Sequence, residues 1–228
     1  MTYILHIETA TDICSVALSE KDQLLAHCES SEPNQHSKEL TLLIAAVLEK
    51  ANLKMADLAA VSLSGGPGSY TSLRVGSAVA KGICYAMNIP LIAVDTLQAI
   101  AAESQKTYNL PDAIYCSMID ARRMEVYTAL YDDQNKEIKP VDARIIDEDL
   151  KQEFLVLNKK IIFSGNGSAK CRDFFSEDCF AFTDTICNSS NMLYIAYQKF
   201  THLEFKDIVY FSPNYFKAPN ISESKKVL

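Results

Sequence analysis

Apolar residues near the start of the chain gather into three short runs, Tyr3 to Glu8, Ile13 to Ser19 and Leu24 to Glu29, separated by the polar turns T-A-T-D and E-K-D-Q. Runs of that length between turn-forming clusters predict strands, and turns this short predict an antiparallel meander. After Pro33 the period changes. Leu40, Leu43, Ile44, Val47, Leu48 and Ala51 fall at helical spacing, which predicts an amphipathic helix over His36 to Leu53. A strand over Leu58 to Leu63, a glycine-rich turn, a helix over Ser69 to Met87 and a strand over Pro90 to Val94 follow.

A similar order begins again after E-S-Q-K-T-Y-N-L-P-D, residues 103 to 112. Ala113 to Asp120 and Met124 to Tyr131 predict a hairpin, with a third strand within Glu137 to Ile146. A helix over Asp147 to Leu157, a strand over Lys160 to Ser164, the turn G-N-G-S and a helix over Ala169 to Phe175 come next. A helix near Asn191 to His202 and a strand around Ile208 to Tyr215 close the pattern, and the charged end Ile221 to Leu228 is expected to fray. I-E-T after the first strand is answered by I-D-A after the first strand of the second half. Two βββαβα units in one α/β chain predict the duplicated ribonuclease-H-like architecture of the actin and sugar-kinase class, with lobes over 1–103 and 104–228.

Composition narrows the function. Of 228 residues 48% are hydrophobic, enough for a sizeable core, and no apolar run is long enough to span a bilayer, so a soluble, cytoplasmic protein is expected. The seven cysteines lack any C-x-x-C pair and read as reduced, packed thiols. A net charge of −7 without long Lys or Arg runs gives no footprint for a free-standing nucleic-acid binder; if RNA is the substrate, a partner must supply most of the grip.

The stretch L-S-G-G-P-G-S-Y-T-S-L-R-V-G, residues 63 to 76, invites a phosphate-loop reading that its spacing refuses. A P-loop needs G-x-x-x-x-G-K and then Ser or Thr; from Gly65 the sixth residue is Tyr70 and the next lysine is Lys81. A dinucleotide fingerprint needs a third glycine where Thr71 stands. What remains is a tight turn, with Ser69 placed to cap a helix. Gly76 and Gly82 inside that helix each cost about 1 kcal/mol relative to alanine. Ser72, Gly76 and Ala80 form one small-residue line and Ala78, Gly82 and Ala86 another, so close approach by a neighbouring backbone is the expected compensation. Beyond its core stripe the first helix presents Leu42, Ala45 and Ala46, the mark of an interface.

Glu8, Asp12 and Asp120 lie at the two hairpin turns that face the nucleotide cleft in the actin-like class. The second turn reads Asp120-Ala121-Arg122-Arg123 rather than D-x-G, which puts bulky side chains where phosphate would approach, so the three carboxylates are read as a vestigial cleft. The histidines, His6, His27, His36 and His202, include no H-x-x-x-H or H-E-x-x-H pair, and no metal site is predicted.

With its surroundings, G-G-P-G-S-Y-T-S-L-R-V-G resembles the signature of the bacterial TsaB (YeaZ) family: Gly65, Gly66, Pro67, Gly68, Ser69, Tyr70, Thr71 and Arg74 match its loop. I-L-H-I-E-T-A-T-D-I-C-S-V-A-L, Q-H-S-K-E-L, P-L-I-A-V-D-T-L and I-D-A-R-R-M-E-V-Y are similar to its flanking segments. The likeness covers about the first 130 residues and thins to Y-F-S-P-N-Y-F-K; Ser72 departs from the family's usual glycine. The resemblance implies a non-catalytic partner of TsaD. With TsaB and TsaE, TsaD transfers a threonylcarbamoyl group from threonylcarbamoyl-AMP to the adenosine beside the anticodon of ANN-decoding tRNAs. It implies a heterodimer with TsaD, a homodimer when alone, tRNA reached through the complex, and no cofactor beyond weak nucleotide binding at the TsaD interface. TsaD carries two metal-binding histidines four apart on a helix, and the matching positions here are Thr96 and Ile100. The implied interface comprises His36, Leu42, Ala45, Ala46 and Glu49 of the first helix with Ser72, Gly76 and Ala80 of the second. A stand-alone actin-like ATPase or kinase is the alternative.

Overall fold

A computed structural model describes residues 1–30 and 32–217. Strands β1 (Tyr3–Glu8), β2 (Ser15–Glu20), β3 (Gln23–Glu29), β4 (Leu58–Ser64) and β5 (Leu91–Val94) form one sheet in the order β3-β2-β1-β4-β5. The first three pair antiparallel, while β4 joins β1 and β5 joins β4 in parallel. Strands β6 (Ile114–Asp120), β7 (Glu125–Tyr131), β8 (Glu137–Ile145), β9 (Ile161–Ser164) and β10 (Phe180–Phe182) repeat that scheme as β8-β7-β6-β9-β10. The duplicated ribonuclease-H-like fold is therefore present strand for strand.

Helix α1 (His36–Lys50) buries Leu40, Ile44, Val47 and Leu48 against Leu5, Ile7, Val16 and Leu18 of the first sheet. Each such side chain taken from water contributes about 1.5–3 kcal/mol. Helix α2 (Tyr70–Met87) starts where the Ser69 hydroxyl accepts from the Ser72 N–H and stops at Asn88 in the left-handed region. Helix α3 (Thr96–Tyr108) is capped by Asp95, whose Oδ1 accepts from the N–H groups of Leu97 and Gln98 at 3.0 and 3.2 Å. Its residues Leu97, Ile100 and Ala101 pack on Tyr115, Ile119 and Tyr131, joining the two sheets in a shared core. Helix α4 (Glu148–Val156) covers the second sheet, and α5 (Leu193–Thr201) returns to the first through Ile195 and Ala196 against Ile4, Ala60 and Ile92.

The second half departs from expectation in three places. Residues 169–175 hold a single 3-10 turn, Ser168–Cys171, in place of a helix, because Phe175 dives into a cluster with Phe154, Phe163 and Phe180. The three-residue β10 was not foreseen. No strand runs over Ile208 to Tyr215: the Asp207 carboxylate accepts from the N–H groups of Val209 and Tyr210 and curls the chain, and Pro213 offers no N–H for a ladder. One bridge, Leu91 to Lys206, is the sheet pairing of that segment among the described residues. The end Ile221 to Leu228 lies outside the described residues.

Candidate functional site

The glycine loop between β4 and α2 is clamped by its own chain. The Gly65 N–H donates to the Val94 carbonyl at 2.7 Å and the Ser69 N–H to the Ala10 carbonyl at 2.7 Å. The Gly65 and Gly66 carbonyls accept from Asn214 at 2.8 Å and Thr96 at 3.1 Å. Gly66 sits at φ +95°, and a Cβ on Gly68 would lie 2.4 Å from the Ala10 carbonyl oxygen. A phosphate cradle needs N–H groups turned toward an open space, whereas Gly68 is pressed onto the first hairpin. Ser69 and Thr71 are exposed, and Tyr70 is half-buried beneath the Arg74 guanidinium, 4.6 Å from the ring centroid.

The two small-residue lines of α2 have opposite fates. A Cβ on Gly76 would meet Thr9 Oγ1 at 2.3 Å, and Ser72, Gly76 and Ala80 are all buried inside this chain. They are corrected from partner-facing to inward-packing residues. His36 is corrected likewise: it is buried, and its Nε2 makes no hydrogen bond among the described residues. Ala78, Gly82 and Ala86 are exposed instead, with no atom of the described residues within 4 Å of a Cβ on Gly82, and Tyr85 beside them is 81% exposed. On α1, Leu42 is 67% exposed, Ala45 and Glu49 are exposed, and Ala46 is half-buried. Leu43 of α1 and Val75, Val79 and Ile83 of α2 share one core, so these exposed residues lie on adjoining helices.

The three carboxylates at the hairpin turns do not converge. Glu8 is fully buried: Oε1 accepts from the Ala10 N–H at 2.6 Å, Oε2 makes no hydrogen bond among the described residues, and burial raises its pKa. Asp12 and Asp120 are exposed. Asp120 pairs with Lys170, its N–H donates to Asn166 Oδ1 at 3.1 Å, and its carboxylate accepts from the Arg122 N–H at 2.6 Å. Arg122 and Arg123 hold φ of +73° and +50°, so arginines occupy the left-handed turn where D-x-G would place glycine. Hollows of about 550 Å³ beside α3 and about 430 Å³ beside β5 are lined by other residues. The second contains Asp95, whose carboxyl burial pushes up to about 6 against the pull of its two N–H donors.

No group of three or more His, Cys, Asp or Glu residues suited to a metal ion occurs among the described residues. Thr96 and Ile100 are both buried in α3. His6 is fully buried between Ser19 Oγ at 2.8 Å and Ser62 Oγ at 3.3 Å, and burial lowers its pKa to about 3, so it is a neutral core residue. All seven cysteines are free, and five are buried. No described helix is long and apolar enough to cross a membrane.

Sequence reasoning read a strand around Ile208 to Tyr215 and did not foresee that Phe205 to Lys217 crosses the β5 edge and the glycine loop. The signals were present: an aspartate two residues before Val209, Pro213, and the aromatic pair Tyr215-Phe216.

Residues 25–223 match the family model described as TsaD: tRNA N6-adenosine threonylcarbamoyltransferase. The chain is 27% identical over 168 residues to the tRNA threonylcarbamoyladenosine biosynthesis protein TsaB of Bacillus subtilis, covering 73% of this chain and 72% of that one. It is 34% identical over 128 residues to TsaB of Escherichia coli, which is 56% of this chain and 54% of the relative, so only about half of that protein's length is spanned. A Pseudomonas aeruginosa structure described as an uncharacterized protein with similarity to peptidase YEAZ superposes with a TM-score of 0.78 at 20% identity, over 95% of this chain and all of that one. A polyphosphate/ATP-glucomannokinase from an Arthrobacter strain gives a TM-score of 0.51 at 10% identity, covering 89% of this chain and all of that one; it shares the fold alone. Strand order, signature loop and relatives converge, and the chain belongs to the TsaB (YeaZ) family within the wider TsaD family.

Proposed function

We propose that this chain serves tRNA threonylcarbamoyladenosine biosynthesis as the non-catalytic partner of a TsaD-type transferase, which it docks and activates through exposed residues of α1 and α2. The observation that carries this reading is their placement: Leu42, Ala45, Ala78, Gly82 and Tyr85 lie exposed on two packed helices. Small side chains there let a partner helix approach closely, and Leu42 and Tyr85 offer apolar area for it to cover. The absence of histidines at Thr96 and Ile100 and the closed glycine loop favour a supporting role. TsaE completes the assembly, a homodimer forms through the same residues when the chain is alone, and the net charge of −7 leaves the main grip on tRNA to the partner.

The test is reconstitution of threonylcarbamoyl transfer to tRNA in vitro with the donor-forming TsaC-type enzyme, TsaD and TsaE. Modification that depends on adding this protein is the expected result; equal modification without it removes the proposal.

A further inference from the structure

Around the mouth of the glycine loop, aromatic rings and unpaired guanidinium groups come together from three parts of the chain. Tyr215 packs on Tyr70 with centroids 4.7 Å apart, and Arg74 lies over the Tyr70 ring. The next residue, Phe216, meets Tyr127 of β7 at 6.1 Å, and Lys217 pairs with Glu125 on the same strand. Arg122 and Arg123 sit at the turn just before that strand, both exposed. Of the five arginines, Arg144 and Arg172 are paired with carboxylates, whereas Arg74, Arg122 and Arg123 form no ion pair among the described residues. Two of the nearby carboxylates are already paired, Asp120 with Lys170 and Glu125 with Lys217. Tyr215 and Phe216 remain 38% and 41% exposed. A chain of net charge −7 thus carries three arginines without ion-pair partners among the described residues beside accessible aromatic faces.

We propose that Tyr70, Arg74, Arg122, Arg123, Tyr215 and Phe216 form a direct contact surface for the tRNA substrate, in addition to the partner's own grip. Exposed rings stack on unpaired nucleotides and guanidinium groups meet phosphate, the combination by which proteins hold looped or single-stranded RNA. A protein partner would be expected to bury an apolar patch, but here the aromatic area is flanked by free guanidinium groups whose natural counterpart is a polyanion. The inference rests on the proposed role in tRNA modification and adds to it the surface that approaches the nucleic acid. Because three cations are few, the contact is weak in the isolated chain and is exerted within the assembled complex.

The test uses that complex with wild-type protein and with Arg74→Gln/Arg122→Gln/Arg123→Gln, and separately with Tyr215→Leu/Phe216→Leu. Thermal melting of each variant alone establishes that it is folded, and co-elution with TsaD establishes that docking is intact. The expected result is a KM for tRNA raised about tenfold with kcat little changed, and a salt dependence of tRNA binding that is shallower by about one unit per arginine removed. Unchanged KM and salt slope in an intact complex overturn the inference. Loss of co-elution by a folded variant overturns it too, because the patch is then a protein interface. If the wild-type protein forms no complex and supports no modification, the proposed function fails, and this inference falls with it.

Discussion

The two halves share a strand order but differ in what lies outside the sheets. In both, the loop after the fourth strand rests on the end of the first: Gly68 is pressed against Ala10, and Gly165 and Gly167 against Met118 and Ile119, where a Cβ would come within 2.1 to 2.9 Å of backbone atoms. Glycine at these places answers to the fold, since chemistry differing between the halves would not require the same close approach twice. The layers above diverge. The first half carries α1 and α2, of 15 and 18 residues, with Leu42 and Tyr85 left exposed. The second replaces the counterpart of α2 with one 3-10 turn and fills the space with Phe154, Phe163, Phe175 and Phe180. One half leaves apolar side chains exposed on its helices and the other packs its aromatic side chains inside.

The largest effect expected from breaking this comparison is in the phenylalanine cluster. Phe163 stacks on Phe175 and Phe182 and meets Phe154 and Phe180, so Phe163→Ala should cost about 3–5 kcal/mol, read from denaturant unfolding. Truncating Leu42→Ala, exposed on α1, should move stability by less than about 0.5 kcal/mol. Equal losses would dissolve the distinction between a closed and an open half.

The two glycines of α2 give the next contrast. Gly76→Ala drives a methyl into Thr9 and should destabilise by about 1–3 kcal/mol, whereas Gly82→Ala meets no atom of the described residues and should stabilise by up to about 1 kcal/mol. Opposite signs in thermal melting confirm which line faces inward; the same sign for both contradicts it.

A smaller effect concerns pH. Asp95, at the junction of the sheets, has its pKa raised by burial from 3.8 to about 6, so the folded state holds the proton more tightly than the unfolded chain. The stability that this carboxyl contributes is full below about pH 4 and is lost as pH rises through 6. Asp95→Asn keeps a capping side chain and should flatten that part of the profile. His6, lowered to about 3, acts with the opposite sign, its contribution growing as pH rises from about 3 to 6.5.

Much of the first half could be read from sequence because its periods are unmixed: the α1 stripe and the β1 to β3 runs name their elements, and Ser69 names a cap. The second half was less legible where tertiary packing overrode local pattern. Residues 169–175 have a helix-compatible sequence, yet the pull of Phe175 into the core leaves one turn. Small residues at helical spacing reveal close approach but not its direction: only the position of Thr9 shows that Gly76 looks inward and Gly82 outward. For the same reason Ala80, which sequence puts on the interface, is a poor site for testing it, because a charge there enters the core.

The central claim, that the open half is the docking surface, is tested most directly by the affinity for TsaD of wild-type protein and of Ala45→Glu/Ala78→Glu, both exposed positions. The expected result is a Kd weakened about hundredfold or more, equivalent to about 2.7 kcal/mol, with an unchanged melting temperature. An unchanged Kd in the folded variant contradicts the account.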